Sequence, residues 1–309
     1  MRIFEYKRGE RLPLSDSVVA LGFFDGVHAA HRLLIEDGMR IAKKSGTPFA
    51  ILTFPSESKL KKSSPRIYGT KERMSLFQNM GVENVVLADF DSIAGMTPEE
   101  FVREALVGDV GCKIAVAGYN FRFGIGAAGN SQDLLCLMRK YGGDAVIHDE
   151  HSYLGKPISA TVIREKLSTG DVLGAKELLS VPYFVRGTVA HGNGTGHKIG
   201  FPTVNMSLPE ERAVIANGVY KTAVEIDGTL YAAITNVGVC PTFDVRDVHL
   251  ETYILDFDKD LYEREITVYF MDYLREERKF SSPNELVEQI AKDKEKAKGV
   301  LTWQALGLK

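Results

Sequence analysis

The sequence predicts an α/β domain with a parallel sheet, followed by an antiparallel β-barrel and a C-terminal helix. In the first half of the chain, short apolar runs alternate with stretches of helical period, which is typical of βα units. From Tyr183 onward the period changes to two, with turn signals between short segments, which indicates a barrel. A length of 309 residues suits two domains, and we place them at 1–182 and 183–309.

The first half contains a series of strands, each followed by a helix or a loop. We expect strands at 18–22, 48–54, 84–90, 113–118 and 145–148. We expect helices over 32–44, about 71–80, 131–142 and 171–180, one that follows Thr161, and one opened by the capping box of Thr97 and Glu100. Parallel sheets bind ligands beyond the carboxyl ends of their strands, and the unusual motifs of this half follow strands.

The second half alternates apolar and polar residues over short segments. We expect strands at 183–190, 218–226, 229–238, 249–257 and 265–274, with a further strand opening near Thr203. Asp227 and Gly228 form a hairpin turn between two of them. A helix follows from Ser282, and its charged run from Lys292 to Lys298 is most simply a solvated face.

The composition is that of an ordinary soluble protein with a core: 44% hydrophobic and 26% charged residues. A net charge of −3 argues against nucleic-acid binding as the main function. The three scattered cysteines indicate neither a disulfide framework nor a zinc site. With no apolar run of membrane-spanning length and no signal-like N-terminus, we expect no membrane partner and a cytoplasmic location.

The first motif, GFFDGVHAAH, joins the first strand to the first helix. His28 and His31 are three residues apart, so on the first helical turn they share one face beside the free N–H groups. Two imidazoles at a positive helix end suit a phosphate. The alternative is a pair of surface histidines that cap a helix.

Two further motifs follow strands of the same half. The loop AGYNFRFGIGAAGN, at 117–130, could wall a nucleotide or be an ordinary long loop. Ser159 and Thr161 precede a helix that carries Arg164, so hydroxyl groups and a guanidinium converge where an anion could dock. Such hydroxyls are more often only helix caps.

The stretch from Gly187 to Asn205 is rich in glycine and ends in a strand-like segment. A glycine cluster outside a hairpin lets backbone N–H groups approach an anion. Thr203 and Asn205 alternate, so their side chains share one face of a strand, and their oxygens suit Mg²⁺ against phosphates. The alternative is a flexible surface loop.

Glu251 lies in the middle of a predicted barrel strand. An acidic side chain there either faces water on the outside of the barrel or is kept inside for chemistry. The pattern alone does not decide between the two.

Residues 22–31 resemble the GxFDGVHxGH signature of nucleotidyltransferases. Together with GYNFRFG (118–124) and ISATVIR (158–164), they resemble the adenylyltransferase domain of prokaryotic bifunctional riboflavin kinase/FAD synthetases. The stretch from Gly187 to Asn205 is similar to that family's kinase loop, GxVxxGxxxGRxLGFPTxN. NVGVCPTF (236–243) and ETYILDF (251–257) resemble its NIGxRPTF and ExHxLDF segments.

This resemblance implies a Rossmann-like nucleotidyltransferase domain followed by a flavokinase barrel. It implies two ATP-dependent reactions, phosphorylation of riboflavin to FMN and adenylylation of FMN to FAD with release of pyrophosphate. The implied substrates and products are riboflavin, FMN, FAD and ATP, with Mg²⁺ as the metal. The oligomeric state is left open.

The resemblance also implies a role for individual residues. In the adenylyltransferase, the residues implied to bind ATP are Gly22, Phe23, Phe24, Asp25, His28, His31, Asn120, Ser159, Thr161 and Arg164. Among them His28, His31 and Arg164 are implied to be catalytic. In the kinase, the implied ATP site comprises Gly187, Val189, Gly192, Gly194, Gly196, Lys198, Thr203 and Asn205. Thr203 and Asn205 are implied to hold the metal, Glu251 to be the base at the flavin, and Arg275 to contact the flavin.

The chain departs from the family pattern at two places in its first half. Ala30 stands where the family has glycine, and Thr53-Phe54 lead into PSESKLKKSSP in place of a Pro-His-Pro. These changes raise an alternative, a riboflavin kinase with an impaired or regulatory N-terminal domain. A flavin-binding regulator without activity is a further alternative.

Overall fold

The structure is a computed structural model that describes residues 1–58, 65–153, 155–190, 200–208, 211–242, 245–299, 302–304 and 306–307. It consists of two units, Met1–Ser159 and Ala160–Lys309. This division precedes the two helices that follow Ser159, because they pack with the barrel: the carbonyl of Leu167 accepts a hydrogen bond from the Ala216 N–H. The functional boundary between residues 182 and 183 stays a prediction.

The first unit is built on a six-stranded parallel sheet in the order β1-β4-β3-β2-β5-β6. Its strands are β1 Arg2–Tyr6, β2 Ser17–Leu21, β3 Phe49–Thr53, β4 Asn84–Ala88, β5 Cys112–Gly118 and β6 Asp144–His148. β2 and β3 are buried at every position, as expected of strands covered on both faces. The five predicted strands are confirmed, whereas β1, a largely exposed strand at one edge, was not predicted from its polar sequence RIFEY.

Helices connect these strands. They are α1 Ala29–Ser45, α2 Thr70–Asn79, α3 Phe90–Ile93, α4 Pro98–Glu100 and α5 Ser131–Lys140. The capping box is confirmed, since Thr97 Oγ1 accepts from the Glu100 N–H at 3.2 Å and Glu100 Oε2 accepts from the Thr97 N–H at 2.7 Å. α4 continues directly into a π-helical segment, Phe101–Asp109, whose apolar side chains pack into the core beneath the sheet.

The second unit is a six-stranded antiparallel sheet in the order β10-β13-β12-β11-β14-β9. Its strands are β9 Phe184–Thr188, β10 Thr203–Leu208, β11 Gly218–Ile226, β12 Thr229–Thr242, β13 Val245–Ile254 and β14 Glu265–Arg275. The two outer strands approach each other where the Ala190 N–H donates to the Asn205 carbonyl at 2.8 Å, so the sheet nearly closes into a barrel. The predicted antiparallel barrel is confirmed.

Three helices belong to this unit: α6 Ala160–Ser168, α7 Val172–Leu179 and α8 Pro283–Ala297. Along the chain, β6 is followed by a small two-stranded sheet of β7 Ser152–Tyr153 and β8 Lys156–Pro157. The hairpin turn is also confirmed, because Asp227 and Gly228 both have positive φ, 48° and 77°, as a type I′ turn requires. Within the described residues, no helix is long and apolar enough to cross a bilayer.

A row of threonine hydroxyls runs through the barrel interior. Thr235 Oγ1 lies 2.9 Å from Thr222 Oγ1 and 2.9 Å from Thr252 Oγ1, and all three residues are almost completely buried. Each hydroxyl thus has a partner that replaces water. Because side chains alternate along a strand, the neighbours of these threonines face the outside of the barrel.

Replacement of the middle threonine by valine tests this row. Thr235→Val keeps the shape but leaves the hydroxyls of Thr222 and Thr252 without that partner, and we expect the free energy of unfolding of the barrel to fall by about 1–3 kcal/mol. The only tryptophan of the chain, Trp303, packs edge-on against Tyr269 of β14, so its fluorescence in a urea titration reports on this unit.

Thr229→Val is the matched control, because Thr229 is an exposed residue of the same strand. Equal unfolding midpoints for the two variants would contradict a stabilising role of the interior row.

Candidate active sites

The first candidate site lies at the carboxyl edge of the parallel sheet. From β2 the chain proceeds to β3 and β4 on one side, whereas β5 and β6 lie on the other side. Open α/β sheets bind ligands in the crevice at such a reversal of strand order. The loop that follows β2 and the loop that follows β5 flank this crevice, and they carry the GFFDGVHAAH motif and Asn120.

The loop after β2 has an unusual backbone. Phe24 and Val27 have φ values of 55° and 44° although neither is glycine, and Val27 is β-branched. Such conformations are strained and persist where surrounding contacts fix them. Two of these contacts are hydrogen bonds to the loop: Asp25 Oδ1 accepts from the Ile67 N–H at 2.9 Å, and Arg32 Nε donates to the Val27 carbonyl at 3.1 Å.

His28 caps helix α1, as the alternative interpretation of this motif expects, but it is buried and not a surface histidine. Its Nδ1 accepts from the His31 N–H at 3.4 Å, so in the neutral ring the proton is on Nε2. The rings of His28 and His31 stack, with centroids 3.6 Å apart. Burial lowers the pKa of His28 from 6.5 to about 4, so this imidazole is neutral at pH 7.

The other residues predicted for the nucleotide lie at several places. Gly22 and Phe23 are half-buried after β2, and Asn120 is exposed just beyond β5. Ser159 ends the first unit, whereas Thr161 and Arg164 lie on α6 of the second unit, where Arg164 Nη2 donates to Thr161 Oγ1 at 3.3 Å.

The segment that replaces the family's Pro-His-Pro is part of a helix start. The Ser56 N–H donates to Thr70 Oγ1 at 2.8 Å, and the Thr70 N–H donates to Ser56 Oγ at 3.2 Å, so the two residues join this segment to the beginning of α2. Residues 59–64 of the same loop lie outside the described residues. Ala30 is the second residue of α1, a backbone position that does not require glycine.

The second candidate site lies on the outer face of the barrel. Strand pairing aligns one residue from each of five adjacent strands, which we name the outer row: Asn205, Glu251, Asn236, Val219 and Arg275. Glu251 is exposed, and Asn205 and Asn236 are half-buried. The Glu251 carboxylate therefore faces outward, and the alternative in which this side chain is kept inside the barrel for chemistry is wrong.

A second row runs beside the outer row. Thr203 pairs with Tyr253, which pairs in turn with Ile234, so Thr203 lies on the same face as Asn205 and next to it along β10. The expectation that these two side chains share a face is thus confirmed. The ring of Tyr253 meets Phe201 edge-on at 5.2 Å between centroids.

The glycine-rich stretch begins next to this face. Gly187 is in β9, and the Val189 N–H is bonded to the Arg264 carbonyl at 2.9 Å. One residue later, Ala190 pairs with Asn205. Gly192, Gly194, Gly196 and Lys198, also predicted for ATP, lie outside the described residues.

Helix α8 covers part of the outer face. Ala297 packs with Val219, Ile234 and Leu255. Asp293 is only 1% exposed, and its Oδ2 accepts a hydrogen bond from Arg275 Nε at 2.9 Å and lies 2.9 Å from Arg275 Nη2. Gln289 Nε2 donates to the other oxygen, Oδ1, at 2.8 Å.

The interpretation of the charged run as a solvated face is wrong for Asp293. A single-sequence pattern cannot reveal such a partner, because Arg275 is 18 residues away in a different element. This buried ion pair fixes the guanidinium at one end of the outer row. Arg275 lies three strand spacings, or about 14 Å, from Glu251.

Oxygen donors on this face suit a magnesium ion. Mg²⁺ takes hard oxygen ligands, keeps several waters and binds together with substrate phosphates. The Thr203 hydroxyl and the Asn205 amide oxygen fit that chemistry. Among the residues that the structure describes, no cluster of three or more His, Cys, Asp or Glu could hold a metal by itself.

Comparison with known proteins assigns both halves of the chain. A FAD synthetase family model matches residues 11–162, and a riboflavin kinase family model matches residues 179–301. The chain is 33% identical over 290 residues to the bifunctional riboflavin kinase/FMN adenylyltransferase of Bacillus subtilis, with 91% of each chain covered. It is 33% identical over 292 residues to the protein of that name from Escherichia coli K12, again with 91% of each covered.

A solved structure shows the same architecture. The crystal structure described as a macrolide-efflux protein from Streptococcus pneumoniae superposes with a TM-score of 0.86 at 33% identity, covering 97% of this chain and 99% of that one. The family matches, the relatives and the two units lead to one assignment. The chain belongs to the bifunctional riboflavin kinase/FMN adenylyltransferase family and carries both a FAD synthetase domain and a riboflavin kinase domain.

Proposed function

We propose that the barrel unit phosphorylates riboflavin to FMN with ATP and that the α/β unit transfers AMP from a second ATP to FMN, releasing pyrophosphate. The observation that supports this proposal most strongly is the outer row. It aligns Asn205, Glu251 and Arg275, three residues predicted from separate segments of the sequence, on one face of the barrel. The FAD synthetase match to residues 11–162 favours the bifunctional enzyme over a kinase alone.

In the kinase reaction, the riboflavin 5′-hydroxyl attacks the γ-phosphorus of ATP. Glu251 accepts the hydroxyl proton as the new P–O bond forms and ADP leaves. Its exposed carboxylate is free to approach a ligand on this face. Thr203 and Asn205 would hold Mg²⁺ on this face, and the ion when bound would supply positive charge for the phosphates.

In the second reaction, a phosphate oxygen of FMN attacks the α-phosphorus of ATP, and the bond to the leaving pyrophosphate breaks. The enzyme supplies orientation and hydrogen-bond donors rather than a covalent intermediate. With its Nδ1 engaged by the His31 N–H, neutral His28 offers the Nε2–H as a donor toward the phosphates. The family resemblance also implies a catalytic role for Arg164, whose guanidinium is permanently charged.

The function is tested directly by incubation of the full chain with riboflavin and Mg-ATP, and separately with FMN and Mg-ATP. Chromatography should detect FMN and FAD in the first mixture, and FAD with pyrophosphate in the second. If FMN forms without FAD, the chain is a riboflavin kinase only. If neither FMN nor FAD forms, the chain is a flavin-binding protein without either activity.

Replacement of Glu251, the proposed base, separates substrate binding from the rate of phosphoryl transfer. We expect Glu251→Gln to lower kcat for FMN formation by about 10²–10⁴-fold, because the amide cannot accept the proton, whereas riboflavin and ATP still bind. Flavin fluorescence titration measures binding, and the rate of FMN formation measures chemistry. The control is Glu177→Gln, an exposed carboxylate on α7. Full kinase activity of Glu251→Gln would remove Glu251 from the role.

Loss of the proposed metal ligand should be visible in the magnesium dependence. Thr203→Val keeps the side-chain shape but removes the hydroxyl oxygen, so we expect half-maximal FMN formation to require more free Mg²⁺ at a fixed ATP concentration. Saturating Mg²⁺ should restore part of the rate. An unchanged magnesium dependence would show that Thr203 is not a ligand.

The depressed pKa of His28 predicts a pH-dependent stability of helix α1. Because the pKa is about 4 in the folded chain and 6.5 in the unfolded one, the unfolded chain binds more protons between these values. The stability that neutral His28 contributes is therefore complete above pH 6.5 and is lost toward pH 4, by up to about 3 kcal/mol.

Amide hydrogen exchange of helix α1 at pH 7 and pH 5, corrected for intrinsic rates, measures this loss. His28→Asn supplies a helix cap that does not titrate, so it should show a smaller decrease in protection between the two pH values. An equal decrease in both proteins would exclude His28 as the cause.

A further inference from the structure

The loop between β2 and α1 depends on a buried arginine to which the sequence pattern gave no role. Arg73, on α2, is 0% exposed. Its Nη1 donates to the Phe23 carbonyl at 2.8 Å and to Thr53 Oγ1 at 3.0 Å, and its Nη2 donates to the Phe54 carbonyl at 2.6 Å. A charged group in the core is therefore directed at the backbone of two strand ends.

Thr53 completes this arrangement. Its hydroxyl, also 0% exposed, donates to the same Phe23 carbonyl at 3.0 Å. The Phe23 carbonyl thus accepts two hydrogen bonds, one from each partner. Phe23 follows β2 and Phe54 follows β3, so Arg73 and Thr53 connect the carboxyl ends of two neighbouring strands at the ligand edge of the sheet.

The side chain of Phe23 is held as well. The Arg73 guanidinium lies 4.8 Å from the ring centroid and that of Arg66 lies 4.5 Å from it, both within the range of cation–π attraction. Burial lowers the pKa of Arg73 to about 10, with the charge of Asp25 opposing that decrease, so the group remains protonated at neutral pH. Both the main chain and the ring of Phe23 are therefore fixed by permanent charge.

Stability alone accounts poorly for this arrangement. A buried charge is expensive to desolvate, and the acceptors of the Arg73 hydrogen bonds are neutral oxygens. Within the described residues, the buried Nε of Arg73 has no hydrogen-bond partner, although the two Nη atoms are fully directed at the loop and strand ends. The residue immediately after Phe23 begins the strained segment, φ 55° at Phe24, that leads to His28.

We propose that Arg73 and Thr53 are positioning residues for adenylyl transfer: by fixing the Phe23 carbonyl, they hold the strained loop so that His28 presents its donor to the triphosphate. This inference rests on the proposed function of the α/β unit. Neither residue needs to touch the substrate. Displacement of a catalytic group by about 1 Å can cost about 10²-fold in rate.

The test measures kcat and the KM for ATP of FAD formation from FMN, in the full chain, for Thr53→Val, Arg73→Lys and Arg73→Met. Valine keeps the volume of threonine and removes one of the two donors to Phe23. We expect Thr53→Val to lower kcat by about 10- to 100-fold with a smaller change in the KM for ATP. Arg73→Lys, which keeps the charge but cannot reach both carbonyls in the same geometry, should retain more activity than Arg73→Met.

Riboflavin phosphorylation in the same samples is the internal control, because it should stay at the wild-type rate. Thr47→Val is the matched variant: Thr47 precedes the opposite end of β3, and we expect its kcat for FAD formation to be unchanged. Protection of α1 amides from hydrogen exchange gives the folded fraction of the α/β unit. If Arg73→Met fails to fold, the kcat of Thr53→Val for FAD formation tests the inference.

Two results would overturn the inference in different ways. Wild-type kcat in Thr53→Val, in a chain whose wild type makes FAD, would remove the positioning role alone. A rate loss that only follows the folded fraction would do the same, since it would show a structural role. A wild type that makes no FAD from FMN and ATP would instead overturn the proposed function, and this inference with it.

Discussion

The register of β13 against β10 and β12 determines which side chains face the barrel interior and which face outward. Thr252 faces inward and joins Thr235 in the buried hydroxyl row, whereas Glu251, one residue earlier, faces outward beside Asn205 and Asn236. A slip of one residue would exchange the two faces, burying a carboxylate and exposing the threonine. The interior hydroxyl row therefore specifies the register, and the register brings the outward polar side chains together.

The same constraint favours the proposed kinase site on the outer face of the barrel over a site in its interior. Among the described residues, apolar side chains and the three paired threonine hydroxyls line the interior, where an additional charge would be costly to desolvate. The outer face, in contrast, offers the exposed Glu251 and the half-buried amides of Asn205 and Asn236. Helix α8 encloses one side of this face and, through Asp293, holds Arg275 at the end of the outer row.

Much of the fold could be predicted from the sequence, because hydrophobic period and turn chemistry are local. The strands around Val18 and Ile51 are continuous apolar runs, and Asp227-Gly228 readily adopts the positive φ values that a type I′ turn requires. β1 was missed because an exposed edge strand need not be apolar. The alternation of Thr203 and Asn205 correctly predicted a shared face, but the pairing of Asn205 with Glu251 depends on strand order, which period alone does not encode.

The residues that sequence reasoning missed are charged groups that fold into the interior. Arg73 and Asp293 occupy helices whose sequences, TKERMSLF and AKDKEKA, are typical of solvated faces, and each becomes buried because its partner comes from a distant element. Arg73 reaches the Phe23 carbonyl, 50 residues away, and Asp293 reaches Arg275. Burial of a charge is unfavourable unless hydrogen bonds compensate it, so both groups are held in a defined direction by the atoms they bind. In each unit one buried charged group, Arg73 or Asp293, fixes a residue at the candidate site. A pair of apolar side chains would hold that residue less well, because apolar contacts are not directional.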